Sequence, residues 1–567
     1  MADILSNSVS GLLAVQRALA TTGHNVSNAN TEGYSRQRVE MSAQMPQFMG
    51  NGYIGSGTKV DSITRTFDQF VESQLRDATS DSSRLSFVQD FASQVTGVLG
   101  DTETGMTRST EAFFNAAGDV ASNPTDITSR QAFLNQAGAL TDRFNRMDEQ
   151  LAQLNAGLGQ QADAITREVN TFAQEVADLN GKISTAFAQN PNALPNDLLD
   201  RRDQLIQNIA ERINVRVTDD DAGSLNLAVG SGQSLVTANT AAELKAVNAP
   251  SGLEIQIDGR SITSRVTGGD LGGMIEAQST LIQPLRSELG RTAMVIAQEV
   301  NAIQRDGFDL NGNPGESLFN VGQGDPDVDP MMGNVTASPR NGSSASAQAE
   351  ITDATLLESG RYVARFDGSV WNISKENGSG TSIAFDPASV TPATTAAIPG
   401  MDLTFGGGAP AVGDMLYIDA GLGAAGQMST RDLSPAEVAA AGSVLDQNGD
   451  RVTAGSRDNT NIQRITELAN QAVVGQSASA GLDGQTIGGA ISSAVSQAGS
   501  VARTAELQGE SARAALDNLE ARKQSVSGVN LDEEAAKLLQ YQQQYQALAR
   551  SISISGDLFQ SVLNAVR

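Results

Sequence analysis

The residue types able to do chemistry in this chain are few and poorly placed for it. The single histidine, His24, has no cysteine and no second histidine to join it, so imidazole and thiolate cannot build a catalytic triad or a zinc site. It reads as a structural side chain on the first helix. Carboxylates are plentiful, and a pair of them can hydrolyse a glycoside. Asp219, Asp220 and Asp221, however, stand between candidate strands, where a solvated loop is expected. Two stretches, "DLNGNPG" from Asp309 and "DQNGDR" from Asp446, set oxygen-bearing side chains at alternate positions, as calcium loops do. Pro314 and Arg451 fill the sixth position, where an EF-hand loop needs glycine, and the glutamate at the twelfth is missing, so both read as turns. "GGGAPAVG" at 406–413 has no Lys-Ser/Thr after it and opens no helix, which excludes a phosphate loop. Trp371 lies in a strand-like run and reads as core. No catalytic residue, metal site or cofactor is assigned, and the chain reads as something other than an enzyme.

Composition narrows the classes further. A formal charge of -27 argues against gripping nucleic acid through its phosphates. No apolar run is long enough for a membrane span. Asp3 precedes the first basic residue, Arg17, and Ser6, Asn7, Ser8 and Ser10 interrupt the apolar stretch, unlike an ordinary secretory signal. The expectation is either a cytoplasmic protein or export by a route that reads no cleaved signal. Aromatic residues make up 4% of the chain, which suits long helices burying a narrow stripe.

The elements with the clearest pattern are at the two ends. Leu5, Val9, Leu12, Leu19 and Val26 follow a three-four spacing, completed less well by Gln16 and Gly23. At the other end Leu531, Leu538, Tyr545, Ile552, Phe559 and Val566 recur every seven residues, with Glu534, Tyr541, Leu548, Ser555 and Val562 between them. Such a repeat predicts a coiled-coil seam on a helix roughly 50 Å long. A third helix is expected after Asn123-Pro124-Thr125-Asp126. Its stripe, Leu140, Phe144, Met147, Leu151, Leu154 and Leu158, shifts phase before Ile165, Val169, Phe172, Val176, Leu179 and Ile183, and the run stops at Asn190-Pro191. A shorter helix capped by Asn196 or Asp197 follows. Further helices are expected near 67–99, 272–305, 460–474 and 486–525.

Between them the period falls to two. "NVRVTD", "SLNLAVG", "LEIQIDG" and "SITSRV" predict one β region, and "GRYVARFDGSVWNIS", "MDLTFGG" and "DMLYIDA" another. The expected fold is α+β and multidomain: a long helical coiled-coil stem built from both chain ends, with β-rich domains inserted mid-chain. Its expected parts are 1–38 with 529–567 as terminal helices, then 39–212 with 269–340 and 430–528 as a helical stem. A small β-rich insert at 213–268 and a β-rich outer domain at 341–429 complete it.

"NVSNANTEGYSRQRV", from Asn25, resembles the N-terminal signature of the flagellar rod, hook and hook-associated family, whose members show Asn-Thr-Pro-Gly-Tyr-x-Arg after an Asn-rich helix end. Asn28, Asn30, Thr31, Gly33, Tyr34 and Arg36 carry the likeness, while Glu32 replaces the usual proline. "SGVNLDEE" at 527–534 is similar to the C-terminal signature. "LLDRRDQLI" at 198–206 and "NAIQRDGFDLNGNPGESLF" at 301–319 resemble the hook-associated branch. The resemblance implies a structural axial component of the bacterial flagellum at the junction between hook and filament. It implies unfolded type III export, an extracellular location, and terminal helices lining an inner tube with β domains outside. Its implied partners are further copies of the chain in a ring-like helical zone, the hook protein, the second hook–filament junction protein, and an export chaperone at the C-terminal helix. It also implies that Tyr34 anchors the turn on a neighbouring helix and that Arg36 and Arg38 meet acidic surface on another subunit. Two alternatives stay open: another axial subunit, hook protein or second junction protein, and a glycan-binding surface protein that uses its β inserts.

Overall fold

Both chain ends are helical, and they lie side by side. Helix α1 spans Ala2–Ser27 and α10 spans Leu531–Val566. The computed structural model describes residues 2–48, 53–99, 105–190, 193–220, 223–230, 232–249, 252–322, 325–376, 383–385, 395–476 and 484–566. Pro191 and Asp221 lie outside them.

After α1 the chain turns into an antiparallel hairpin, β1 (Gln37–Ala43) with β4 (Thr58–Arg65), whose far end carries the short pair β2 (Gln47–Phe48) and β3 (Tyr53–Ile54). This hairpin is not among the expected elements. Its strands bury neither face fully, so the alternation that would mark them in sequence is weak.

Helix α2 (Gln69–Leu99) continues the stem and runs antiparallel to α9 (Ile487–Ser527), where Lys523 Nζ meets Glu72 at 2.9 Å. Helix α3 (Met106–Ser122) then packs on α4 (Ile127–Gln189). At 63 residues α4 is about 95 Å long. Asp126 caps it by accepting the Ser129 N–H at 2.9 Å. The phase shift in its stripe marks a change of partner. Toward the start, Phe133, Leu140, Phe144 and Leu151 are sealed in the helical body, where Phe113 stacks on Phe133 at 5.1 Å and meets Phe319 at 5.6 Å. Toward the end, Val169, Val176 and Ile183 turn to α5 and the first β region.

Helix α5 (Asn196–Arg212) starts at the first of the two expected caps, so Pro195 takes the cap position. Neither Asn196 nor Asp197 caps it, because Asn196 is already helical and spends its Nδ2 on the Ile63 carbonyl of β4. The first β region holds a four-stranded sheet over 215–241 and a three-stranded one over 244–261. "SITSRV" departs from the strand expectation: only Arg260–Ser261 pairs, and Thr263–Arg265 is a 3-10 turn. Fully buried Asn180 of α4 holds this region by donating to the Leu225 and Ala238 carbonyls and accepting from Leu225 N and Arg202 Nη1.

Helices α6 (Gly269–Ala277) and α7 (Gln283–Asp306) are joined without a break by a π-turn, Gln278–Ile282. The turn aims Gln278 between the Leu253 amide and Asn155 Oδ1. Helix α8 (Thr460–Leu468) is shorter than expected, giving way to a strand at Ala472–Val474. In the outer region an eight-stranded antiparallel sheet spans 332–419. Trp371, in its second strand, stacks at 5.3 Å on Phe405, in its seventh, so the sheet must curl onto itself. Ser287 of α7 ties it to the stem through the buried Asp419, 2.7 Å away.

Candidate assembly site at the paired chain ends

On its α1 side the α1–α10 contact is built mostly on small residues. Ser8, Gly11, Val15, Ala18, Thr22 and Asn25 recur with three-four spacing, and all but the half-buried Gly11 are buried. The absence of a side chain at Gly11 lets Leu548 lie against the helix, only 3.2 Å from where a Cβ would stand. Asn25 meets Glu534 on the same face. Gly11 and Asn25 are two heptads apart, as are Leu548 and Glu534, so the helices run antiparallel in one register.

On α10 the expected stripe faces α1 at its centre. Leu538, Tyr541, Tyr545, Leu548 and Ile552 are half-buried between the buried Glu534 and Ser555. Leu531 and Phe559 at the ends are exposed, and the side chain of Val562, like that of Val566, lies outside the described residues. On α1 the intrachain face lies one residue earlier than the apolar stripe. Leu5, Val9 and Val26 are 43%, 40% and 36% exposed, and Leu12 and Leu19 only half-buried, so this stripe is left on the outside. One residue is about 100° of helix rotation, enough to exchange a covered face for an open one.

The family turn closes on this pair. Asn28 continues the helix end, its N–H and Nδ2 both donating to the His24 carbonyl, and Thr31 Oγ1 reaches Asn28 Oδ1 at 3.2 Å. Asn30 is exposed. Gly33 has φ +78°, the left-handed conformation that glycine adopts without strain. Tyr34 anchors the turn on α1 of its own chain: its hydroxyl donates to Asn25 Oδ1 at 2.7 Å and lies 3.0 Å from His24 Nδ1. Burial, with Asp197, Asp200 and Glu534 nearby, raises the Tyr34 pKa well above the usual phenol range, which keeps that donor proton in place. Arg36 is also engaged within the chain, at 2.9 Å from Glu533, and Arg38 pairs with Glu40. The antiparallel helices bring Glu533, at the start of α10, to Arg36, beyond the end of α1, whereas Arg38 and Glu40 are near neighbours on β1.

Asn25 is the centre of the arrangement. Only 1% exposed, it donates to Glu534 and to the Gln37 carbonyl, each at 2.9 Å, and accepts from Tyr34 and the Gln37 N–H. Glu534 is 1% exposed as well and takes Lys537 Nζ at 2.7 Å. Asn25 is not in the expected stripe, and Glu534 stands in the heptad repeat only as one of its two polar positions. The signal was there, since a carboxylate on a heptad position must either be solvated or have a partner.

Helix α5 fastens the turn to the stem. Asp200 accepts the Ser35 N–H at 3.0 Å and pairs with Arg65 at 3.0 Å, and Arg65 also holds Asp203. Burial raises the Asp200 pKa, an effect these bonds only partly offset. Arg36 N donates to the Ser527 carbonyl, tying in the end of α9. A polar cleft of about 920 Å³ lies between the turn, α2, α5 and α9. The Asp309 and Asp446 loops are turns in which the carboxylate accepts backbone amides, from Asn311 and Asn313 and from Asn448 and Asp450.

Comparison with known proteins agrees with this layout. The model of the flagellar hook-associated protein FlgK helical domain matches residues 92–319, that of the flagella basal body rod protein 5–34, and that of the flagellar basal body rod FlgEFG protein C-terminal region 523–565. Flagellar hook-associated protein 1 of Salmonella typhimurium is 30% identical over 580 residues, covering 100% of both chains. The protein of that name from Bacillus subtilis is 26% identical over 414 residues, 66% of this chain and 78% of its own. The flagellar hook junction protein FlgK from Burkholderia pseudomallei shares the fold, with a TM-score of 0.70 at 21% identity over 80% of this chain and 100% of that one. The chain belongs to the flagellar hook-associated protein 1 family.

Proposed function

We propose that the chain is a structural axial component of the bacterial flagellum, exported from the cell and assembled at the hook–filament junction through its paired terminal helices. The observation that carries this reading is where the exposed apolar side chains lie. Leu5, Val9, Leu13, Met45, Phe48, Tyr53, Leu539, Ile554, Leu558 and Phe559 are all exposed, and all belong to the terminal pair and its hairpin. Single apolar side chains such as Phe70, Val328, Val412 and Leu445 are exposed elsewhere, but the body behind the terminal pair seals Phe113, Phe133, Phe144 and Phe319 inside. Clustered exposed apolar surface marks an interaction site, and its α1 and α10 parts sit on the segments matched by the rod-protein family models, 5–34 and 523–565.

In this reading 1–38 with 529–567 forms the inner zone, the helical body stands next, and the β regions at 213–268 and 341–429 face outward. Copies of the chain associate side by side, with the hook protein on one side and the second junction protein on the other. The exposed flank of α10 offers an export chaperone its docking face before assembly. The reading contains no catalytic step. Among the described residues no helix is long and apolar enough to cross a membrane.

Electron microscopy of isolated hooks mixed with the purified chain tests it, with and without residues 529–567. Full-length chain should cap hook ends and the truncated chain should not. Bare hook ends with both proteins overturn the reading.

A further inference from the structure

The distal end of the terminal pair is almost free of charge. From Ile4 to Gln16 and from Met41 to Thr58 the sequence has no Asp, Glu, Lys or Arg, and between Lys537 and Arg567 only Arg550 and Asp557 are charged. The fold brings these three stretches together. Asn7 Nδ2 donates to the Gly55 carbonyl at 2.9 Å, Ser10 Oγ accepts from Thr58 N, and Gly11 receives Leu548. Gly57, at φ +104°, presses so closely on Ser10 that a Cβ would collide with its hydroxyl. The opposite end of the same pair carries Arg36, Arg38, Glu40, Glu533 and Glu534.

This neutrality selects the partner. Each copy carries a formal charge of -27, so contact between copies meets least repulsion where the touching surfaces are uncharged. Two such surfaces are exposed and do not cover one another. One is the hairpin tip, where Phe48 and Tyr53 stack at 5.4 Å yet remain 64% and 74% exposed, beside Met45. The other is the Leu5–Val9–Leu13 stripe of α1. Two different patches joined between copies make a heterologous contact, which builds rings and helical arrays; a patch joined to its own likeness stops at a dimer.

We propose that the hairpin tip, through Met45, Phe48 and Tyr53, packs on the Leu5–Val9–Leu13 stripe of a second copy of this chain, and that this contact sets the lateral spacing of the assembled zone. The proposal rests on the junction reading above.

The test uses the full chain, which has no native cysteine. A Gln47→Cys variant carrying a benzophenone maleimide is mixed with nitrogen-15-labelled wild-type chain, assembled on isolated hooks, irradiated and mapped by mass spectrometry. The expected product joins the tip of one copy to residues 5–13 of an isotopically distinct copy. Adducts to hook subunits, adducts from tip to tip, or capped hooks without an intercopy adduct overturn the proposal. Hooks left uncapped by wild-type chain overturn the junction reading itself. A second variant, Phe48→Ser with Tyr53→Ser, changes only exposed side chains, so its circular dichroism and elution volume should match wild type while capped hooks fall at least tenfold. Undiminished capping by that variant also overturns the proposal.

Discussion

The terminal pair and the helical body are both antiparallel helix packings, yet they bury opposite kinds of residue. In the body, Phe113, Phe133, Phe144 and Phe319 fill the interface and are essentially inaccessible. In the terminal pair α1 contributes Ser8, Gly11, Val15, Ala18 and Thr22 and leaves its larger side chains outside, while the large side chains of α10 that face it, such as Tyr545 and Leu548, are only half-buried. A core of large side chains gains stability from area removed from water. A seam of small residues buries far less and takes its specificity from one polar cluster around Asn25. Under the proposed function the difference separates two tasks: the body supplies the sealed core, whereas the ends keep apolar surface for other chains.

The sharpest way to break this contrast is to damage the body. Phe133→Ala should cost about 3–5 kcal/mol of unfolding free energy, the range for a large aromatic removed from a core, read from urea denaturation followed by circular dichroism. A smaller loss would mean that the body is not the stabilising unit.

Next comes the polar cluster. Asn25→Ala removes one hydrogen-bond partner each from the carboxylate of Glu534 and the hydroxyl of Tyr34, and a donor and an acceptor from the backbone of Gln37. It should cost about 1–3 kcal/mol, confined to the terminal pair. Hydrogen exchange should quicken in α1 and α10 while the protection of α4 stays as it was; equal quickening in both would erase the distinction between the regions.

Gly33→Val places a β-branched residue at φ +78° and brings its Cβ to 3.3 Å from Gln204. The cost should be about 1–3 kcal/mol at the turn. It should reduce hook capping more than it lowers the melting temperature of the free chain.

Leu13→Ser alters an exposed side chain and should change stability by less than about 0.5 kcal/mol. Capping of hooks should nevertheless weaken, and an unchanged titration would remove α1's outer stripe from the assembly surface.

The smallest effect concerns pH at the head of α4. Hydrogen bonds from Ser129, through its hydroxyl and its amide, lower the Asp126 pKa below the ordinary carboxylate value. A depressed folded pKa contributes stability that is fully present above the unfolded value of about 3.9 and is lost as pH falls through the folded one. Amide exchange at 127–131 should therefore speed up below about pH 4, ahead of the rest of α4.

Much of the architecture is legible in the residues. The heptads of α10 and the stripe of α4 are long enough to fix helices whatever they pack on. The Asp126 start and the alternation of "GRYVARFDGSVWNIS" carry their own local chemistry. The turn at Gly33 and Tyr34 is likewise local, since ten residues contain both the helix end and the tyrosine that closes it. Local signals fail where the partner is distant. The β1–β4 hairpin lies on α1 through Asn7 and Ser10, and nothing in its own weak alternation announces that contact.

What the sequence determined by itself is which stripes are apolar and how long the helices run, because both depend only on residue type and a fixed helical period. Which stripe of α1 turns inward was decided by the tertiary structure. Apolarity sets the value of covering a surface, but not whether this chain or another one covers it. Close approach at Gly11, and a buried contact between Asn25 and Glu534, 509 residues apart in sequence, hold the small-residue face against α10. The bond from Asn25 to Glu534 forms only once both ends of the chain have met.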